Sequence, residues 1–281
     1  MRLFLLLSVM SIPACLHAQE LYVYTDPASN VPGKSLTAKL SFNYMPPQIW
    51  MGDRYGQRYT PEVQIGLNKK WMLKAGTSFA NVHTPAFKWE SVFVYGKYRF
   101  LSKDELHSHF RMAVFADASY SKAPYHTEEM SLQGDRSGVQ LGLIATQLWH
   151  KLAVSATVSH TQLLDSSRFD KRIVYVPSRL YQGMNYSLSA GYLLLPFNYT
   201  DYRQTNLNLY AELLAQQSLD RKAHYVDLAP AVQLIFNSNA KLNVGYRFQL
   251  GSSGMVRMSN NSWLVSFERT FLNALKKKEK K

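Results

Sequence analysis

The side chains able to do chemistry are few and scattered. His160 follows Ser159, and a histidine beside a serine is the pairing that nucleophilic catalysis needs. His107 and His109 stand at strand spacing. With His83, His126 and the methionines Met45, Met51, Met130, Met255 and Met258 they form a set of imidazole and thioether ligands suited to a soft ion such as Cu(I). No tight spacing gathers them, so His83, His126 and Met130 stand only as candidates, and no cofactor is expected. Glycine-rich phosphate loops, catalytic triads and paired carboxylates at helical spacing are absent from the sequence. Cys15 is the only cysteine and falls in the leader described below. No disulfide framework is therefore available.

The charged residues are more ordered than these candidates. In Tyr225–Leu250, Val226, Leu228, Pro230, Val232, Leu234 and Phe236 alternate with Asp227, Ala229, Ala231 and Gln233. After the polar turn Asn237–Ala240, Leu242, Val244, Tyr246, Phe248 and Leu250 alternate with Lys241, Asn243, Gly245, Arg247 and Gln249. A period of two, a polar turn and the same period again predict a β-hairpin. A charged, amide-rich second face suits the lumen of a membrane barrel whose apolar face meets lipid.

The same alternation predicts twelve strands: 35–44, 59–67, 71–80, 89–100, 109–120, 138–149, 152–162, 183–195, 204–215, 225–236, 241–250 and 262–272. The strand 138–149 is the least regular, because Ile144 and Leu148 break the pattern. Connections are long after odd strands and shorter after even ones, which is how outer-membrane barrels separate extracellular loops from periplasmic turns. A cation on the lipid face costs roughly 2–4 kcal/mol at the membrane midplane. The register accordingly puts Lys39, Lys97, Arg99, Arg111, Asp117, Glu212, Asp227 and Arg247 in the lumen as the candidate lining. Lys74, Lys241, Glu62 and Glu268 join them, and Arg269 falls outside near a rim. Asp135-Arg136, beside Gly134 and Gly138, form a loop corner able to fold into the lumen.

The ends fit export. Arg2, the apolar run Leu3–Ile12 and the small-residue exit at Ala18-Gln19 read as a secretory signal peptide over 1–18. The run is shorter than the roughly 20 apolar residues of a spanning helix. Residues 19–34 are expected to be a periplasmic lead-in or a plug, 35–272 the barrel, and 273–281 a basic periplasmic tail. The formal net charge is +13, and Lys276–Lys281 concentrate lysine. In an exported chain that tail suits solvent or anionic headgroups, and no nucleic-acid partner is expected. The 18 Tyr, 14 Phe and 5 Trp suit interfacial aromatic girdles.

The signal peptide, alternating strands and aromatic strand ends together resemble a Gram-negative outer-membrane β-barrel of the small porin or transporter-like kind. That resemblance implies a twelve-stranded antiparallel transmembrane barrel for passive passage or binding of a small solute. Its implied partners are outer-membrane lipid and the insertion machinery. A closed barrel displaying loops for adhesion or scaffolding is the alternative, with soft-metal (copper) handling and lipid hydrolysis further readings. The strand number is similar to that of outer-membrane phospholipase A, which implies a lipid-facing His and Ser on one face. Here His160 points outward, Gln162 is the next outward residue, and Ser159 points inward, so an enzyme is not expected. One departure from barrels that end on an aromatic residue is that the chain continues from Phe271 to Lys281.

Overall fold

The computed structural model describes residues 22–48, 51–106, 108–124, 127–164, 180–197 and 203–276. The leader 1–18, His107, His126, the charged residues of 165–179 and the lysines of 277–281 lie outside the described residues. Twelve strands form: β1 (Ser35–Met45), β2 (Gly56–Gly66), β3 (Trp71–Ala80), β4 (Lys88–Asp104), β5 (Ser108–Ser121), β6 (Gly138–Trp149), β7 (Leu152–Leu163), β8 (Gln182–Leu195), β9 (Asn206–Ser218), β10 (His224–Phe236), β11 (Ala240–Ser253) and β12 (Asn261–Phe271). Each pairs antiparallel with its chain neighbours. β1 closes on β12, with Leu36 opposite Phe271 and Tyr44 opposite Trp263, so no sheet edge remains.

The expected twelve-stranded antiparallel barrel is what forms. Its burial is inverted relative to a water-soluble protein. Leu141 is 63% exposed and Val94 56% exposed on the outer face, while Gln64, Glu212, Asp227 and Gln233 are 0% exposed inside. Aromatic residues gather at both ends of the outer face. Trp71 leans on Tyr98 near the rim that carries the termini, and Tyr246 on Trp263 near the opposite rim. Arg269 is outward and exposed, with its guanidinium over Phe271.

The structure corrects one part of the loop pattern. β9 continues to Ser218, leaving only 219–223 before β10, whereas the connection 196–205 on the terminus rim is longer. The alternation of β9 persists through Gln216, whose side chain is buried inside, so pairing outlasts the apolar pattern that marked the strand.

The break in β6 also has a physical cause. Ile144 is an inward apolar residue, packed with Ala28 and Ala113. Leu148 packs against the cluster of Tyr22, Val23, Ala153, Tyr210, Ala231 and Leu264. Apolar side chains can face a lumen because residues 22–33 lie inside it and cover them.

Leu188 is outward and 51% exposed at the middle of β8, opposite Ala156 and Leu213. Leu188→Arg is expected to cost roughly 2–4 kcal/mol. Denaturant titration of folding into phospholipid vesicles measures it; a cost below about 1 kcal/mol would contradict a lipid-facing belt at β8.

Candidate functional site

The site is the inside of the barrel, and two chain segments enter it at different levels. At the terminus-side level, residues 22–33 cross from β2 and β3 to β9. Their backbone makes few bonds to itself, so the wall must satisfy its polar groups. The Glu212 carboxylate on β9 takes three of them. It accepts the backbone N–H groups of Val23 and Tyr24 at 2.9 Å and of Thr25 at 3.0 Å, and the Thr25 hydroxyl at 2.6 Å. Ser189 on β8 also donates to it. Lys97 donates to the carbonyls of Pro27 and Ser29 at 2.7 and 2.8 Å. Ala28 N–H donates to Thr146, Arg111 to the Ser29 hydroxyl and Asn30 to the Lys70 carbonyl. Lys74 holds both carboxylate oxygens of Asp26 at 2.7 Å.

Two glycines let this segment lie against the wall. A Cβ on Gly66 would stand 2.2 Å from the Pro32 carbonyl oxygen, and one on Gly245 would stand 2.7 Å from the Tyr24 ring. Below the segment, an amide ladder joins Asn208, Gln233, Asn243 and Ser266 across β9–β12.

At the opposite level, the β5–β6 connection folds inward and reaches the far wall. Arg58 on β2 bridges Glu90 on β4, at 2.8 Å, and Asp135 of the connection. Gly134, at φ +105°, sits directly against the Arg58 guanidinium. On the far side, Glu129 accepts from Arg247 at 3.0 Å. Arg247 also pairs with Asp227, and Arg257 donates to both Asp227 oxygens at 2.6 Å. Arg257 lies 3.8 Å from the Tyr225 ring centroid. Gln216 exchanges hydrogen bonds with the Met130 backbone, and Glu128 does so with Val256 of the β11–β12 connection.

Between the two levels lies a chamber of about 360 Å³. Of the residues expected to line the lumen, Lys39, Asp117 and Arg247 border it. Lys97, Glu212 and Arg111 instead bind the N-terminal segment. Asp227 is covered by the two arginines. Arg99 sits beyond the segment, with Arg111 and Asp104 as its charged neighbours. Sequence reasoning missed Asp26, Thr25, Arg58, Glu90, Glu129 and Arg257. Their partners are distant in sequence, and the local signs of an occupied lumen were the expected plug at 19–34, the Asp135-Arg136 corner and the inward Ile144 and Leu148.

The metal candidates do not come together. His83 is near Glu90 and Asp135, at 3.7 and 4.0 Å. Met130 packs instead with Leu132, Leu163, Leu180, Ala223, Tyr225 and Met255. Met45, Met51 and Met258 share a third cluster. Among the described residues no group of three or more His, Cys, Asp or Glu is placed to hold a metal. Ser159 faces inward and accepts from Gln140, while its neighbour His160 lies on the opposite face beside Leu141 and Met184.

No protein-family model matches the chain, and no curated protein sequence matches it. Among solved structures, it is similar to an outer membrane channel from Pseudomonas putida F1, at 12% identity and TM-score 0.55, over 89% of this chain and 100% of that one. The shared fold is a closed antiparallel β-barrel. The NanC porin aligns at 12% identity and TM-score 0.47, over 83% of this chain and 98% of the porin. The KdgM porin aligns at 11% identity and TM-score 0.46, over 84% of this chain and 99% of the porin. The likeness at this identity is one of architecture.

Two outcomes test the closures. Gly66→Ala places a methyl group into the Pro32 backbone, so the segment must shift while the wall, held by its ladders, stays paired. Limited proteolysis should then cut within 22–33 while the barrel core survives; an intact segment would contradict the contact. The second concerns pH. Burial raises the Glu129 carboxyl, but Arg257 and Arg247 outweigh it and bring it down to about 2 from the ordinary 4.5. A group lowered on folding contributes fully above its unfolded value and loses that contribution as pH falls through its folded value. Hydrogen-exchange protection of 127–137, corrected for intrinsic rates, should hold at pH 5 and fall towards pH 2; protection lost already near pH 5 would contradict the ion-pair anchor.

Proposed function

We propose that the chain is a Gram-negative outer-membrane barrel that binds a small solute in its lumen chamber and passes it when the inner segment yields. The observation that carries this reading is the polar chamber enclosed between two anchored segments. A volume of about 360 Å³ lies within the range of small-molecule sites. Its wall offers Ser41, Asn43, Thr60, Gln140, Ser159 and Asn185 beside charges of both signs. Such a lining can replace the hydration of a polar solute. The apolar outer belt supports a lipid environment, and the channel-like fold supports transport. Residues 1–18 then act as the export signal, 19–34 as the plug and 273–281 as the basic periplasmic tail. Lipid and the insertion machinery are the partners of assembly.

The inner segment and the β5–β6 loop differ as gates. The loop is fixed by charged side chains from β2, β4, β10 and β11. The segment has no sheet partner and rests mainly on hydrogen bonds, three of them to the single Glu212 carboxylate, so we take it as the element that yields. Removing Glu212 leaves three buried N–H donors without an acceptor. Each hydrogen bond to a charged group is worth about 1.5–3 kcal/mol, so the loss of a single one that water does not replace should raise the population of the displaced state roughly ten- to a hundredfold.

The same double closure favours a second reading, a closed barrel that displays its loops. Planar-bilayer recordings distinguish the two. The wild-type protein should show rare openings, and Glu212→Ala should show frequent ohmic steps. If neither conducts, passage falls and display stands.

A further inference from the structure

The chamber has a charge pattern that selects among small solutes. Lys74 is engaged by both oxygens of Asp26. Arg247 is matched by Asp227 and Glu129. Lys39 stands directly opposite Glu62 across β1 and β2. Asp117 is different. It borders the chamber, and its Oδ1 is buried with no hydrogen-bond partner. The carboxylate takes one backbone N–H, that of Ala118; its charged neighbours are Lys74, Asp26 and Glu62, and the lysine among them already carries the Asp26 carboxylate. The excess charge on this wall is therefore negative and centred on Asp117.

The surroundings of Asp117 are aromatic. Tyr95 lies directly across from it on β4, and Phe115 precedes it by two on β5, on the same face. The rings of Tyr95 and Phe115 stack at 5.3 Å, and Phe93 completes the patch on the chamber wall. Phe93 packs over Gly76 and Phe115 over Gly142, so both rings lie along the wall rather than across the chamber. The patch already accommodates one ammonium group: Lys74 Nζ sits 4.8 Å from the Tyr95 ring centroid. A carboxylate set among ring faces is the arrangement that attracts an alkylammonium ion, the carboxylate answering its charge and the rings answering both charge and apolar body.

We propose that the chamber takes a small organic ammonium ion, with its charge at Asp117 and its apolar body against Phe93, Tyr95 and Phe115. The inference rests on reading the chamber as a solute site. A carboxylate solute in the same position would meet the Asp117 carboxylate, whose charge the neighbouring lysine answers only in part.

The test uses the full chain folded in detergent and three size-matched probes: benzylammonium, benzyl alcohol and benzoate. Calorimetric titration should show benzylammonium binding at least tenfold more tightly than either of the others. Asp117→Asn, nearly identical in volume, should weaken benzylammonium at least tenfold and leave benzyl alcohol unchanged, and Asp117→Glu should restore the preference. Heat-modifiable gel mobility reports that each variant is folded. Equal binding of the three probes, preference for benzoate, an unaltered Asp117→Asn, or no binding of any probe overturns the proposal. Conductance of Glu212→Ala is scored separately. A conducting barrel that ignores benzylammonium keeps the passage reading and loses this one; a barrel that binds it yet never conducts does the reverse.

Discussion

One buried carboxylate governs the interior. Glu212 is fully enclosed and forms no ion pair among the described residues. A buried charge without hydrogen bonds is strongly unfavourable. The backbone N–H groups of Val23, Tyr24 and Thr25 supply what water would otherwise supply. The dependence is mutual: the N-terminal segment has no sheet partner, and an unpaired buried N–H is costly as well. Carboxylate and segment thus hold each other in place, and the rest of the lumen is arranged around them. Lys97 binds the segment's carbonyls from the opposite wall, and the inward apolar residues of β5–β7 and β9–β12 pack under its tyrosines and valines.

The barrel wall follows from a separate constraint. In hydrocarbon every backbone polar group must be paired within the protein, which leaves a closed sheet as the only β solution. Closure of β1 on β12 meets that need. With the backbone satisfied, the side chains divide by face, and the inside may carry any polar group that finds a partner. Most find one another. Lys241 meets Glu268, Arg58 meets Glu90, and Arg257 meets Asp227. Balanced pairs of this kind do not make a selectivity ring.

The two closures are built from different chemistry, and their responses differ accordingly. The inner segment is held by dipoles and hydrogen bonds to its own backbone, so its position depends on a few wall residues and on glycines that permit close approach. The β5–β6 loop is held by side-chain ion pairs at both of its ends. The arginines among them hold the Glu129 carboxyl below the ordinary carboxylate range.

Much of this architecture was legible in the residues alone. The period of two located every strand and separated lipid face from lumen face, because a single charge on the wrong face is costly enough to exclude. The positions of Lys39, Lys97, Asp117, Glu212 and Arg247 on the inner face followed from that alternation. The alternation carried no information about depth or occupancy, so it could not separate Asp117, which meets the chamber, from Lys97 and Glu212, which meet the N-terminal segment. Nor could it bring Arg58 to Asp135 or Arg247 to Glu129, since those pairs join strands to loops far away in the chain. The sequence by itself determined which way each wall side chain points, a local property of the extended backbone. Only the tertiary structure decided what each one touches, because contact across a lumen depends on how the closed sheet places its opposite walls.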